Sequence, residues 1–177
     1  MQEIIVAANE AGQRLDKMLA KYLNEAPKSF LYKMLRKKNI VLNGKKATGN
    51  EKLAVGDSVK LFLADETIAK FSNIHAVHTN VTLDIIYEDE NVLLINKPVG
   101  MLSQKAAADD ESLVEHIISY MLETGQLTEE ELRKFRPSVC NRLDRNTSGL
   151  VAAGKSLAGL QEMGTLFKNR SLRKYYR

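Results

Sequence analysis

The spacing of the apolar residues changes along this chain, and that change constrains the fold more than any other feature of the sequence. Between Gly12 and Leu35 the apolar residues recur at helical spacing, which predicts two helices, the second of them capped by Ser29. Strand-forming runs follow at residues 40–46, 55–63, 81–98 and 149–154. This order predicts an α+β fold, in which a small α/β domain precedes a mainly antiparallel sheet.

Turn and capping signals divide the chain further. Asn43-Gly44 predicts a tight hairpin turn, and Asp89-Glu90-Asn91 predicts a second hairpin turn. Helices are expected to begin after Ser112, Thr128 and Ser156, and a further strand is expected at residues 172–177. We expect a first domain at residues 1–63, a linker at residues 64–80 that could carry a short helix, and a second domain at residues 81–177.

Charge is divided among three blocks. The net charges of residues 1–63, 64–136 and 137–177 are +6, −8 and +6, which together give the +4 of the whole chain. Two basic blocks around an acidic one suit a protein that grips a polyanion at two places, although basic blocks are often only solvated surface. No segment is long and apolar enough to cross a membrane, and the N-terminus lacks a secretory signal, so we expect a cytoplasmic protein.

Candidate metal ligands are few and scattered. Cys140 is the only cysteine, so an internal disulfide is excluded and an idle thiol is favoured over a nucleophile. His75 and His78 have no third ligand at a supporting distance, while Asp89 and Glu90 suit the solvated tip of a hairpin. We therefore predict no metal site.

One polar segment has the composition of an active-site loop. Residues 141–150 place Asp144 between Arg142 and Arg145 in a turn-prone stretch bounded by apolar residues. A carboxylate between two guanidinium groups stays ionised, which suits a nucleophile or a base, and the same cations can hold phosphates. On spacing alone, however, a salt-bridged surface loop without catalytic function is the more common explanation.

Residues 12–63 resemble the S-four-type RNA-binding domain, a small module found in many RNA-modifying proteins. The resemblance rests on Arg14-Leu15-Asp16, on the basic second helix and on Ile40-Val41-Leu42-Asn43-Gly44-Lys45. It implies RNA contacts, mainly to phosphates, by Arg14, Lys33, Arg36, Lys37, Lys38, Lys45 and Lys46.

Two separate motifs in the second domain are similar to those of the Rlu-type pseudouridine synthases. They are residues 87–100 and residues 142–150, in the order in which that family carries them. The family isomerises uridines in structured RNA, chiefly large-subunit ribosomal RNA, without a metal, a nucleotide or another cofactor. The resemblance implies that Asp144 is the catalytic residue. We expect the chain to be a monomer. The resemblance also implies substrate-binding roles for Arg142, Thr147, Lys174 and Tyr176, the last of which would pack against the target uracil.

The chain departs from that family in two respects. Asn141 stands where the family commonly has histidine, so a hydrogen-bonding role can persist but an acid–base role cannot. The sequence also ends just after the family's Lys-x-Tyr strand, here residues 174–176, which predicts a truncated catalytic domain with weak activity or none.

Two other functions are considered beside isomerisation. A non-catalytic RNA-binding or ribosome-assembly protein would use the same basic surfaces without an active site. A hydrolase has less support, because hydrolysis at an anomeric carbon usually needs two carboxylates and the loop supplies only Asp144. Nuclease chemistry lacks the set of metal-binding carboxylates that it would require.

Overall fold

A computed structural model describes residues 1–73 and 78–176. These residues form two compact units. The first contains residues 1–73 and Glu129–Phe135, and the second contains residues 78–128 and 136–176. In chain order the elements are β1 (Gln2–Ile5), α1 (Leu15–Tyr22), α2 (Lys28–Arg36), β2 (Ile40–Leu42), β3 (Lys45–Lys46), β4 (Ser58–Leu61), α3 (Asp65–Phe71), β5 (Ile85–Glu88), β6 (Val92–Lys97), α4 (Leu113–Glu123), α5 (Glu129–Leu132), β7 (Ser138–Val139), β8 (Gly149–Gly154) and α6 (Leu157–Lys168).

The first unit packs its helices on a four-stranded antiparallel sheet with the strand order β1-β4-β2-β3. The amphipathic helices α1 and α2 form as predicted and bury their apolar faces in one core. The core residues with no more than 2% exposure in α1, α2 and the central strands are Leu15, Met18, Leu19, Leu31, Leu35, Ile40, Val59 and Leu61. The Asn43-Gly44 turn is also confirmed, because both residues have the positive φ angles, 50° and 71°, that a tight hairpin between β2 and β3 requires.

Ser29 is not the cap of α2, contrary to the prediction. The helix begins one residue earlier, at Lys28, with Pro27 in the N-cap position. The Pro27 carbonyl accepts the first helical hydrogen bonds, from the amides of Phe30 and Leu31, at 2.9 and 3.3 Å. Because proline has no N–H and a fixed φ angle, it suits the start of a helix, and Ser29 falls inside the first turn.

The second unit is built on a four-stranded antiparallel sheet with the order β5-β6-β8-β7. Strands β6 and β8 pair over their full length, from Val92 opposite Gly154 to Lys97 opposite Gly149. The end of β6 and the start of β8 therefore lie at the same edge of the sheet. This register brings the segment after Lys97 beside the segment before Gly149, and the two together hold the candidate site.

Helix α6 lies very close to the hairpin that joins β5 and β6. A Cβ atom added at Gly159 would lie 2.0 Å from the backbone oxygen of Asn91, so only glycine fits there. Ser156 caps this helix as predicted, accepting a hydrogen bond from the Gly159 amide at 3.0 Å. The predicted capping box of α4 is also present, and the Ser112 amide donates to the Glu115 carboxylate at 3.1 Å.

The predicted strand at residues 172–177 is wrong for the part that is described. Residues 172–176 adopt no strand, and the side chains of Tyr175 and Tyr176 are 84% and 79% exposed. A strand needs a hydrogen-bonded neighbour, and the four paired strands of this unit do not include this segment.

The α+β prediction is confirmed by the two antiparallel sheets and their helices, and the short helix expected between residues 64 and 80 is α3. His75 lies outside the described residues. Among the residues that are described, no helix is long and apolar enough to span a membrane.

Candidate active site

Two segments meet at the edge of the second unit's sheet where β6 ends and β8 begins. We call them the 98–103 segment and the Asp144 loop, the latter comprising residues 142–147. The Gly100 amide donates to the Arg145 carbonyl at 2.7 Å, and the Arg145 Nε donates to the Gly100 carbonyl at 3.2 Å. One backbone bond and one bond from the Arg145 side chain therefore join the two segments at the same pair of residues.

Lys97 lies beneath this junction with its side chain fully buried. Its ammonium group donates hydrogen bonds to the carbonyls of Met101 and Pro98 at 2.8 and 3.0 Å, and it approaches the Arg145 carbonyl at 3.5 Å. Burial lowers the pKa of Lys97, and the negative charge of Asp144 acts in the opposite direction. A buried cation therefore ties the end of β6 to both segments and faces the charge of Asp144.

Sequence reasoning missed Lys97, although a signal was present. Leu93, Ile95 and Lys97 occupy alternate positions of β6, and all three are buried. Since alternate side chains of a strand point to the same face, the third residue of this series had to be an inward-facing lysine.

Ser103 makes the second connection between the segments. Its hydroxyl accepts a hydrogen bond from the Leu143 amide at 3.0 Å and donates one to the Leu143 carbonyl at 2.7 Å. The residue is only 4% exposed. Nothing in the local sequence singled out this serine, because its role depends on a partner 40 residues away.

Asp144 is exposed on the turn that these contacts hold, where its carbonyl accepts the Thr147 amide at 3.0 Å. The expected ion pairs with the flanking arginines are not formed in the part of the chain that is described. Arg145 instead donates to Gly100, and its charge contributes to the lowered pKa of Asp110, which depends mainly on the amides of Ala107 and Ala106. The salt-bridged loop considered from the sequence is therefore not observed.

A cleft of about 720 Å³ opens beside the Asp144 loop. It is lined by all four predicted substrate-binding residues, namely Arg142, Thr147, Lys174 and Tyr176. Its apolar lining comes from both the sheet and α6, and includes Leu94, Leu150, Ala152, Met163 and Phe167. Asp144 is not a lining residue, but Leu143 and Thr147 on either side of it line the cleft. An apolar slot with a few polar groups in its lining can accept a flat, polar-edged ring.

Asn141 and Cys140 also line this cleft, and each has a structural explanation. The Asn141 side chain accepts the Ala152 amide at 2.8 Å and donates to the Leu150 carbonyl at 3.2 Å, so it extends the hydrogen-bond ladder of β8. The hydrogen-bonding role expected of Asn141 is therefore present. Burial raises the pKa of the Cys140 thiol to about 11, so this thiol is protonated and a poor nucleophile at neutral pH.

No group of three histidine, cysteine, aspartate or glutamate side chains among the described residues is arranged to hold a metal ion. His116 is buried on α4, where its Nδ1 lies 2.9 Å from the Thr79 hydroxyl, in keeping with a packing role. Asp89 accepts the amides of Asn91 and Val92, both at 2.7 Å, and so organises the hairpin turn.

The first unit carries a separate cationic surface, which we define as six residues of α2, its C-terminal end and the edge strand β3. They are Lys33, Arg36, Lys37, Lys38, Lys45 and Lys46. All six are exposed, and none forms an ion pair with any residue in the described ranges. Arg14 differs from them, because its guanidinium is paired with Asp16 through two hydrogen bonds of 3.0 and 2.8 Å.

Comparison with known proteins decides the family. Residues 91–177, which include the Asp144 loop, match the family model described as RNA pseudouridylate synthase. Over these residues the chain is similar to the RNA pseudouridylate synthase family. The Rlu-type resemblance read from the two sequence motifs is confirmed by this match together with the relatives named next.

Relatives of known name extend the similarity over almost the whole chain. Ribosomal large subunit pseudouridine synthase C of Vibrio vulnificus is 30% identical over 99% of this chain and 54% of its own length. Ribosomal large subunit pseudouridine synthase D of Buchnera aphidicola is 29% identical over 93% of this chain and 50% of its own length. The chain thus spans about half the length of these relatives.

One solved structure, that of human RNA Pseudouridylate Synthase Domain Containing 4, is 24% identical to this chain, with a TM-score of 0.35. The matched region covers 49% of this chain and 30% of the human chain.

Proposed function

We propose that the protein isomerises uridine to pseudouridine in RNA, with Asp144 as its single catalytic carboxylate. The observation that carries this proposal is the family match over residues 91–177, which contains the turn bearing Asp144. The geometry supports it, because this turn adjoins a cleft lined by the residues expected to bind substrate. An RNA isomerase also accounts for a lone exposed carboxylate that is held by backbone contacts.

The residues around the cleft suggest separate roles in substrate binding and in chemistry. A target uridine leaves its stack and enters the apolar slot, where Tyr176 supplies an aromatic surface and Arg142, Thr147 and Lys174 supply polar contacts. Asp144 then assists cleavage of the bond between ribose C1′ and uracil N1, either by attack on the sugar or by removal of a sugar proton.

The remaining steps of the isomerisation need no cofactor. The uracil turns within the slot, and its C5 atom bonds to C1′. The C5 proton leaves to solvent, and N1 takes up a proton. Base and sugar are both retained, so the reaction is an isomerisation.

We further propose that residues 1–63, which lie within the first unit, are an S-four-type domain that binds RNA through the cationic surface. The six exposed cations of α2, its C-terminal end and β3, none of them ion-paired within residues 1–73 and 78–176, suit a phosphate backbone. The names of the relatives make large-subunit ribosomal RNA the substrate we favour, and a cytoplasmic location would follow. Arg14 stays a predicted RNA contact, although its pairing with Asp16 makes it the least available of the set.

Mapping pseudouridine in cells tests this proposal whatever the length of the protein that the gene encodes. Large-subunit ribosomal RNA is compared between cells with the intact gene, cells with the gene deleted, and deleted cells complemented with the wild-type or the Asp144→Asn gene. We expect at least one pseudouridine to disappear on deletion and to return only with the wild-type gene. Unchanged maps would contradict the proposal and favour the non-catalytic RNA-binding alternative.

A further inference from the structure

We propose that Ser103 is a positioning residue for Asp144, whose hydroxyl fixes the peptide unit that immediately precedes the catalytic acid. The inference rests on the proposed function, because the orientation of Asp144 matters to a reaction only if Asp144 takes part in one. It adds a residue of the 98–103 segment to a site otherwise made from the Asp144 loop and the cleft.

The hydrogen bonds of Ser103 constrain the main chain at the point where Asp144 begins. Its hydroxyl bonds both polar backbone atoms of Leu143, accepting from the amide at 3.0 Å and donating to the carbonyl at 2.7 Å. That carbonyl belongs to the peptide bond that joins Leu143 to Asp144. The amide belongs to the peptide bond between Arg142 and Leu143, so one hydroxyl holds the peptide units on both sides of the Leu143 Cα atom and restricts rotation between them.

Asp144 depends on this constraint because, among the described residues, no side chain donates a hydrogen bond to its carboxylate or forms an ion pair with it. Only the charge of the buried Lys97 acts on it. The backbone on either side therefore fixes the position of the Asp144 Cα atom and the direction in which its side chain leaves the main chain. On the far side, the Arg145 carbonyl is held by the Gly100 amide at 2.7 Å.

Ser103 is itself firmly anchored. The carbonyl of the preceding residue, Leu102, accepts the Leu113 amide at 2.8 Å, at the first position of α4. Both Ser112 and Leu113 are fully buried there, and the capping box fixes the start of the helix. The position of Asp144 is therefore linked through Ser103 to the N-terminus of a rigid helix.

The chain offers a closely matched control in Ser119. This serine is 1% exposed, and its hydroxyl accepts the Thr79 amide at 2.9 Å while the Thr79 carbonyl at 3.3 Å and the Glu123 carboxylate at 3.0 Å share its proton. A Ser119→Ala change therefore removes a buried serine hydroxyl that holds a backbone amide, at a place outside the site.

The test compares Ser103→Ala with Ser119→Ala in the full chain by two measurements. The first is turnover of labelled RNA, in which we expect Ser103→Ala to lower kcat about 10- to 100-fold with KM unchanged, since a misplaced acid slows chemistry without weakening RNA binding. The second is amide exchange followed by NMR, in which we expect the Leu143 amide to exchange at least about tenfold faster in Ser103→Ala only.

The outcomes separate this inference from the proposed function. The inference is overturned if Ser103→Ala leaves Leu143 exchange unchanged, or if it lowers kcat no more than Ser119→Ala does. If deletion of the gene leaves the pseudouridine maps unchanged, the proposed function fails, and the clamp then stands or falls on the exchange measurement alone. Melting temperatures of both variants show whether either change unfolds the protein instead.

Discussion

The cationic surface and the Asp144 loop present charge in opposite ways. The surface offers six exposed cations with no partner among the described residues, and their long side chains are free to move. The loop offers one acid, and the contacts that hold it are made by the backbone with Lys97, Gly100 and Ser103. The first arrangement supplies redundant charge, and the second supplies a single charge at a fixed place.

This difference predicts different responses to mutation. Binding of a polyanion sums many similar contacts, so each cation of the surface is partly replaceable. Catalysis needs one group within a few tenths of an ångström of its proper position, so no other residue can replace it. Substitutions at Asp144, Lys97, Glu88 and Lys37 test this contrast between replaceable and unique charges.

Replacing the acid should separate binding from chemistry completely. We expect Asp144→Asn to lower turnover at least about 10³-fold, because the amide is neutral and neither attacks carbon nor takes a proton. The dissociation constant for RNA should stay within about threefold, since the cationic surface is untouched. Tritium release from uridine labelled at C5 measures turnover, and filter binding measures affinity. Equal losses of turnover and of RNA affinity would contradict the separation of binding from catalysis.

Replacing the buried lysine should reduce both stability and turnover. Lys97→Met fills about the same space but leaves the carbonyls of Pro98 and Met101 without the donor that Lys97 supplies, so we expect the free energy of unfolding to fall by about 2 kcal/mol. We also expect a turnover loss in the folded protein, because the Asp144 loop loses a contact and a facing charge. Urea denaturation and single-turnover kinetics measure the two effects.

Lys155→Met is the control for this change. Lys155 is another buried lysine of the second unit, bonded to the Glu88 carboxylate and the Asp89 carbonyl at 2.7 Å each. Its removal should destabilise the fold without a further loss of turnover per folded molecule. A turnover loss as large as that of Lys97→Met would show that Lys97 acts only through stability.

Local chemistry explains which parts of the fold were predictable. The Asn43-Gly44 turn, the caps at Ser112 and Ser156 and the strand Gly149–Gly154 depend on residues close together in sequence, and all form as predicted. Strands β1 and β7 were missed, because they are short and owe their existence to distant partners. Residues 172–176 show the reverse case: a strand was predicted there and none forms, because strand-forming residues make no strand without a hydrogen-bonded neighbour.

In the site, too, only the features that depend on sequence motifs could be predicted. The position of Asp144 in a polar turn, and the meeting of Arg142, Thr147, Lys174 and Tyr176 at one cleft, agree with the sequence motifs. What holds the turn could not be foreseen, because Lys97 and Ser103 reach it only through the pairing of β6 with β8. The sequence suggested the flanking arginines as partners of the acid, but Arg145 donates to the Gly100 carbonyl and Arg142 lines the cleft.

The stability of the protein is expected to depend on pH through Glu88, which lies outside the Asp144 loop. Glu88 accepts hydrogen bonds from Lys155 and Tyr120 at 2.7 Å each. Burial raises the pKa of Glu88, but these bonds and one from Gln126 outweigh burial and hold it below its usual 4.5. Because the folded-state pKa is depressed, the stabilisation is present above about pH 4.5 and is lost as the pH falls through the folded value.

We therefore expect Glu88→Gln to lower the free energy of unfolding by about 1 kcal/mol at pH 7, and by progressively less below pH 4.5. Urea denaturation across this range measures the difference. Glu90→Gln, at the exposed tip of the same hairpin, should show no such trend. If the free energies of unfolding of wild type and Glu88→Gln differed by the same amount at all pH values, the charged hydrogen bonds of Glu88 would not be the source of that difference. Turnover per folded molecule should not change, in contrast to the Asp144 loop.

The smallest effect is expected from a single cation of the surface. Lys37 follows the last residue of α2 and is exposed without an ion pair among the described residues, so Lys37→Gln should remove at most one phosphate contact. We expect RNA affinity to fall only a few-fold, and the slope of log affinity against log salt to decrease by about 1. Lys60→Gln serves as the control, because the Lys60 ammonium already lies 3.7 Å from the Glu3 carboxylate. At saturating RNA, turnover should stay at the wild-type value. A large loss of turnover from Lys37→Gln alone would mean that the surface positions the substrate in one fixed way, and the contrast between redundant and unique charge would then be wrong.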